Sequence, residues 1–456
     1  MILIIVNRCQ CINVKFVKLW HLAALFLSLL GAFPAYSDEV SLQGSLSNRL
    51  KYRTTGTAKD LDWESLFSLD VGWPQVDRFS GSLLLGGLFD MDGRKGGTTF
   101  SSLNDALHQR AVGRIYYAYF DAKDLGPIHA LRAGRQNRFE FESLYFDGAS
   151  LEFKPVKNFT LSVLGGVPVH LFENQSGLDP GDWMVGSVLQ WDPLTVLRFR
   201  FDHVHLKDKT TGFRSSFGDQ QDDLFGGSFW WDVDRHVSLN SRFTAFSDQV
   251  RDFSFTTKVY YPEHDFSFRL QGYRLLKGYA IRVLDWDAFG VAGSLLPYTE
   301  FSMSSTKGFG THWAVDGGVG FRFLDQPQVA SAFNHGYERF FLALSSFDLP
   351  CHGLSMTVTT DYYHGRDNSL QNDNFAVSFT ATQKLLGNRL RLSGGTQYYL
   401  YRYNLYAGHE SNHVRTYFAQ IRGKIFRQLE GRLGYEFEEN PINNFHSLDT
   451  RLIWSF

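Results

Sequence analysis

A two-residue period governs this chain from Val40 onward, and few folds accommodate it over such a length. Leu354, Met356, Val358, Thr360 and Tyr362 alternate with Ser355, Thr357, Thr359, Asp361 and Tyr363. Trp313, Val315, Val319, Phe321 and Phe323 alternate with Ala314, Asp316, Gly318, Gly320 and Arg322. Val237, Leu239, Phe243 and Ala245 alternate with Ser238, Asn240, Arg242 and Thr244. Each run spans about ten residues, the length of a tilted strand crossing a bilayer. Such a strand turns only every second side chain to lipid. The chain can therefore stay at 43% hydrophobic residues while reaching 16% aromatics, a profile that suits a membrane barrel. No apolar run after residue 40 reaches the roughly 18 to 20 residues that a membrane helix needs.

The connections alternate too. Short turns fall at 73–77, 123–127, 155–158, 191–194, 232–236, 261–265, 304–312, 347–353, 384–389 and 427–430. Between them lie mostly longer polar connections, such as 91–109, 207–223 and 275–294. Short turns on one side and long loops on the other organise a membrane barrel; a sandwich or propeller has no reason to sort them. With both termini on the short-turn side, the pattern predicts an all-β, transmembrane antiparallel barrel of 22 strands. Weak stretches at 62–73 and 295–303 widen the expected range to 16–22. An open edge in lipid would leave backbone groups unpaired, so the sheet must close.

Residues 1–37 are read apart from the fold, and 38–456 as the barrel. Lys15 and Lys18 precede the apolar stretch Leu19 to Phe33, and Ala35-Tyr36-Ser37 offers small residues for cleavage, the pattern of a secretory signal. Arg8, Lys15 and Lys18 leave with it, taking the formal charge from −2 to −5. Cys9 and Cys11 leave as well, so Cys351 alone remains, and neither a disulfide nor a cysteine metal site is expected.

The last strand places Leu448, Thr450, Leu452, Trp454 and Phe456 on one parity and Ser447, Asp449, Arg451 and Ser455 on the other. It resembles the C-terminal aromatic signal of outer-membrane proteins. That resemblance implies recognition by the barrel-assembly machinery through Leu448, Leu452, Trp454 and Phe456. A second resemblance lies in Arg132-Ala133-Gly134-Arg135-Gln136 followed by Phe146-Asp147-Gly148-Ala149. It looks like the "GRQ … FDGA" hairpin of alginate-export-type porins, covers about 25 residues, and implies a porin-like barrel in a Gram-negative outer membrane with both termini periplasmic.

In a barrel the apolar parity faces lipid and the other faces the lumen. The inward list then holds fifteen basic residues: Arg49, Lys51, Arg53, Arg114, Arg198, Arg200, Arg242, Lys258, Arg269, Arg322, Arg391, Arg422, Lys424, Arg432 and Arg451. It holds six acids: Asp202, Asp316, Asp361, Glu436, Glu438 and Asp449. A basic wall favours anions. Arg132, Arg135 and Asp147 join the pore-lining candidates, either as a bridge shaping the wall or as a solute-contacting constriction. Trp230, Trp231, Tyr398 and Tyr399 suit either an interfacial girdle or stacking on sugars.

The expected function is a channel for small hydrophilic, anionic solutes, with outer-membrane lipid as surroundings. A second reading is a barrel sleeve for a partner, in export or around a periplasmic electron-carrying cytochrome. An enzyme is disfavoured, because no serine or histidine falls in a recognisable catalytic motif. His409, Glu410 and His413 share a loop and could form a metal cluster, but their spacing is non-helical and a solvated polar loop is the favoured reading, so no metal and no cofactor is expected. No nucleic-acid-binding module is present.

Overall fold

Backbone pairing follows the alternation strand by strand. The computed structural model describes residues 41–456 apart from 57, 74–76, 93–108, 139–143, 170–180, 209–219, 248, 278–296, 328–334, 367–372, 405–408 and 442. Residues 1–37, expected from sequence to be a secretory signal, lie outside the described residues.

The first eleven strands are β1 (Leu42–Thr54), β2 (Lys59–Val71), β3 (Phe79–Asp90), β4 (Ala111–Leu125), β5 (Ile128–Arg138), β6 (Leu144–Val156), β7 (Phe159–Pro168), β8 (Trp183–Leu194), β9 (Leu197–Asp208), β10 (Gln220–Asp232) and β11 (Val237–Phe246). The second eleven are β12 (Gln249–Tyr261), β13 (Phe266–Leu275), β14 (Tyr298–Phe309), β15 (Trp313–Leu324), β16 (Tyr337–Phe347), β17 (Leu354–Gly365), β18 (Asn374–Leu385), β19 (Leu390–Asn404), β20 (His409–Lys424), β21 (Leu429–Glu439) and β22 (Asn444–Ser455). Each pairs antiparallel with the next, and β1 pairs with β22, which closes the 22-stranded ring. The weak stretches at 62–73 and 295–303 are strands β2 and β14.

Two turns depart most from their expected bounds. The stretch 191–194 is the end of β8, and the chain reverses at 195–196 before β9 begins at Leu197. Ser304 to Lys307 continues β14, and the chain reverses only between Phe309 and Trp313. Small hydroxyl residues there read as a turn, yet they stay in register, with Thr306 opposite Asp316. The short turns have local causes. Asp234 accepts hydrogen bonds from the backbone N–H groups of His236 (2.6 Å) and Val237 (2.8 Å). Asp348 accepts one from Gly353 (2.6 Å), whose φ of +79° suits glycine.

The outer surface is apolar. Phe201 is 52% exposed, Leu342 53% and Trp454 47%. Burying one such side chain is worth roughly 1.5–3 kcal/mol, so a whole ring of them left in water would be costly; this face is the one that meets lipid. The seam belongs to it. Gly44 donates to the Phe456 carbonyl (2.9 Å) and accepts from the Phe456 N–H (3.0 Å). A Cβ at position 44 would collide with the Phe456 ring, so glycine lets that ring lie against β1.

Polarity inverts along part of the wall. On β9, Phe199 and Phe201 point outward, followed by His203 and His205; Arg198, Arg200 and Asp202 point inward, followed by Val204 and Leu206. On β6, Leu151 and Ala149 give way outward to Asp147 and Tyr145, while Ser150 and Gly148 give way inward to Phe146 and Leu144. The inward apolar residues Leu144, Phe146, Leu164, Met184, Val204, Leu206, Leu224 and Phe246 are buried in one cluster. Side chains are apolar outward only where lipid lies outside, so the inversion marks where the hydrocarbon band ends on this sector. Strand β15 shows none, since Phe321 and Phe323 keep the outer face apolar to its long-connection end; on β16 Phe340 does so until Glu338.

Candidate pore-lining site

Strand parity puts all fifteen inward basic residues of the sequence list on the lumen side. It also puts there Asp60, Asp62, Glu64, Asp70, Asp90, Asp121, Glu152, Asp252, Glu300 and Glu430. Arg132, Arg339 and Lys384 join the basic side, so the wide basic surplus expected from sequence shrinks to near balance. Several of these acids lie on β2 and β14, whose patterns were weak, and so escaped the inward list. The charge is sorted by place instead.

Cations gather in one row. Cα register runs from Lys384 on β18 to Arg391, Arg422, Arg432, Arg451 and Arg49 on β1. Six cations thus stand side by side across five strand spacings, roughly 24 Å. Like charges directly opposite one another destabilise a sheet, so the row costs stability rather than supplying it. Three carboxylates touch it: Glu430 accepts from Arg422 (2.6 Å), Asp449 from Arg49 (2.6 Å), and Glu64 lies 3.6 Å from Arg49. Arg451 donates to the Ser47 hydroxyl (2.8 Å). Arg391, Arg422 and Arg432 are exposed to the lumen. Lys424, opposite Glu430, stands one step below.

Other predicted positions are dispersed and mostly paired. Arg132 forms a two-pronged pair with Asp121 (2.7 and 2.8 Å) and lies over Tyr119. Arg242 grips Asp202 (3.0 and 2.9 Å), Arg200 lies over Trp230, and Arg198 pairs with Asp192 (2.7 Å). Arg269 faces the lumen opposite Lys258. Trp230 and Tyr399 share the lumen parity; Trp231 and Tyr398 take the outer one.

Arg135 and Asp147 depart from the pore-lining expectation. They oppose each other with forked bonds of 2.7 and 2.6 Å, on the parity of Ala133 and Ala149, which is the outer one. Arg135 Nη1 also donates to the Ile115 carbonyl (3.1 Å), which the Tyr145 hydroxyl reaches as well (3.0 Å). The pairing of β4 with β5 extends no further than Ala118 and Arg135, so these side chains fill in for missing ladder bonds. This part of the hairpin motif is architectural. Leu448, Leu452, Trp454 and Phe456 are all exposed on the outer face. The side chains of His409 and Glu410 lie outside the described residues, and among the described ones no group of three metal-binding side chains converges.

Sequence reading missed a second array on β13–β17. Arg322 donates twice to Glu300 (2.9 and 2.7 Å) and lies over the rings of Tyr298 (4.3 Å) and Tyr337 (5.0 Å). Arg339 grips Asp361 (3.1 and 2.6 Å) and lies over Tyr363 (5.3 Å). Phe340 and Phe341 in succession blur the parity of β16, which hid Arg339 and Tyr337.

No protein-family model matches this chain. No curated protein matches it either. Among solved structures it is similar to the translocation pore of the P pilus usher PapC, at 10% identity and TM-score 0.49, over 91% of this chain and 99% of that one. It is similar to OccK2 (OpdF) of Pseudomonas aeruginosa at 12% identity and TM-score 0.43, over 92% and 98%. For OccAB2 of Acinetobacter baumannii the figures are 13% and 0.42, over 93% and 100%. These likenesses concern barrel shape; what the lumen can do follows from this chain's own side chains.

Proposed function

We propose that this protein is a channel of a Gram-negative outer membrane that passes small hydrophilic solutes and prefers anions. It is exported by residues 1–37, folded by the barrel-assembly machinery through the Leu448–Phe456 strand, and set with both termini in the periplasm. The observation that carries the reading is the lumen-facing row Lys384, Arg391, Arg422, Arg432, Arg451 and Arg49. Such a row raises the local concentration of anions and lowers that of cations. The row lies toward the short-turn end, so an anion entering from outside meets it late in its passage.

The test is the reversal potential of the refolded chain in a planar bilayer under a KCl gradient. The expected sign is that of chloride preference. A cation-selective reversal potential sinks the anion reading. Absence of current from the pure protein sinks the channel reading and favours a sleeve around a partner.

A further inference from the structure

The β13–β17 array differs from the cation row in a way that points to a ligand. Its tyrosines run across the lumen wall in an unbroken line. Tyr273 and Tyr298 have ring centroids 5.5 Å apart. Arg322 bridges Tyr298 to Tyr337. Tyr337 and Tyr363 are 5.1 Å apart. The line crosses four strand spacings, roughly 19 Å. Each ring lies on the parity of Glu300, Arg322 and Asp361, facing the lumen, so a role as membrane-interface anchor does not account for it.

Arg322 and Arg339 are each held by a carboxylate through two donors, so the array carries no net charge. A receptor for an anion would leave its guanidinium groups open. Here they are sandwiched against rings and hold those rings in place. What remains for a solute is a set of fixed aromatic surfaces beside phenol hydroxyls and the Oε1 of Glu300, since both Arg322 bonds go to its Oε2. An uncharged sugar ring matches both features: apolar C–H faces lie on aromatic rings, and its hydroxyls donate to carboxylates and accept from phenols.

We infer that Tyr273, Tyr298, Tyr337 and Tyr363, fixed by Arg322 and Arg339, form a binding track for neutral saccharides on the lumen wall. This rests on the channel reading for access, but the track and the cation row are separate sites.

Maltotriose and cellotriose serve as probes. Added to single channels of the refolded chain, at least one is expected to block current reversibly and saturably. In a Tyr337→Ala/Tyr363→Ala variant the apparent affinity is expected to fall about tenfold or more, because two of the four ring surfaces are lost. Tyr337→Phe should keep most of the affinity, because the ring surface stays. The reversal potential of the double variant should stay unchanged, because the cation row is intact. A conducting wild-type channel that neither sugar blocks overturns the proposal, and so does equal block of wild type and double variant. Equilibrium dialysis of labelled maltotriose and cellotriose with the detergent-solubilised protein separates the two readings. Saccharide binding without current keeps the track and removes the channel; current without binding does the reverse.

Discussion

Two arginine arrays sit in neighbouring sectors of the same lumen and solve opposite problems. On β18 to β1, cations face cations, and the Arg422 side chain is 52% exposed. On β14 to β17, each arginine has its own carboxylate and aromatic neighbours, and the Arg322 side chain is 23% exposed. The first array holds more charge than the three carboxylates touching it neutralise, at some cost to the sheet. The second neutralises its charge and gains rigidity through paired, stacked guanidinium groups. An arginine on a barrel wall is therefore not evidence of anion binding until its partner is known.

The comparison can be broken by mutation. Replacing Arg391, Arg422, Arg432 and Arg451 together by alanine should lower the chloride-to-potassium permeability ratio about threefold or more, because the potential of the row is lost. Folding of this variant, followed by urea titration, should hold or improve. The β13–β17 array, a belt of tyrosines held by paired arginines, should respond in the opposite sense. Arg322→Ala strips Glu300 of its partner and should destabilise the barrel by about 1–3 kcal/mol, read from the same titration. A destabilised row variant alongside a neutral belt variant would reverse the assignment.

Salt sharpens the contrast. The Debye length shrinks from about 10 Å at 0.1 M salt to about 3 Å at 1 M, so the anion preference of the exposed row should fade across that range. Stacking and paired contacts on the belt should be far less affected, and saccharide block should persist at high salt.

The smallest expected effect lies outside both arrays and serves as a reference. The carboxylate of Asp234 is held below its usual range, chiefly by the His236 backbone N–H and then that of Val237. Asp348 is held down in the same way by the Gly353 N–H. Because the folded-state values are depressed, the stabilisation is present above the unfolded value near about 4 and is lost as pH falls through the lowered one. Amide exchange at His236 and Gly353 should quicken only in that acid window and stay flat between neutral pH and about 5.

Much of this was legible in the sequence because lipid enforces alternation. The strand count follows from the alternating connections, and parity gives the closing strand and five of the six cations of the row; Lys384 read as part of the 384–389 turn but belongs to β18. That the six form a single row does not follow from parity, since it depends on register between strands far apart in sequence. Parity also fails where its cause stops. Arg135 and Asp147 became lumen candidates through the hairpin motif they share with Arg132, although an odd spacing puts Arg132 and Arg135 on opposite faces; both lie past the point on β5 and β6 where lipid no longer dictates the outer face, which is why charge can stand there. On β2, Asp60, Asp62 and Glu64 were passed over because Ser65 and Leu66 blur the pattern around them. The belt stayed hidden because its partners come from separate hairpins, and only folding shows which charges are already matched.

The seam between β1 and β22 also bears on how the protein acquires its shape. Gly44 and Phe456 meet from opposite ends of the barrel sequence. Joining them across an unstructured chain would carry a closure entropy on the order of 5 kcal/mol beyond a constant. Each hairpin formed in between shortens that gap, since neighbouring strands pair in chain order. Ring closure is thus expected as the last event of folding, with the intervening hairpins formed first. A chain held just short of that event would expose two unpaired strand edges, the state most prone to join with another molecule instead of itself.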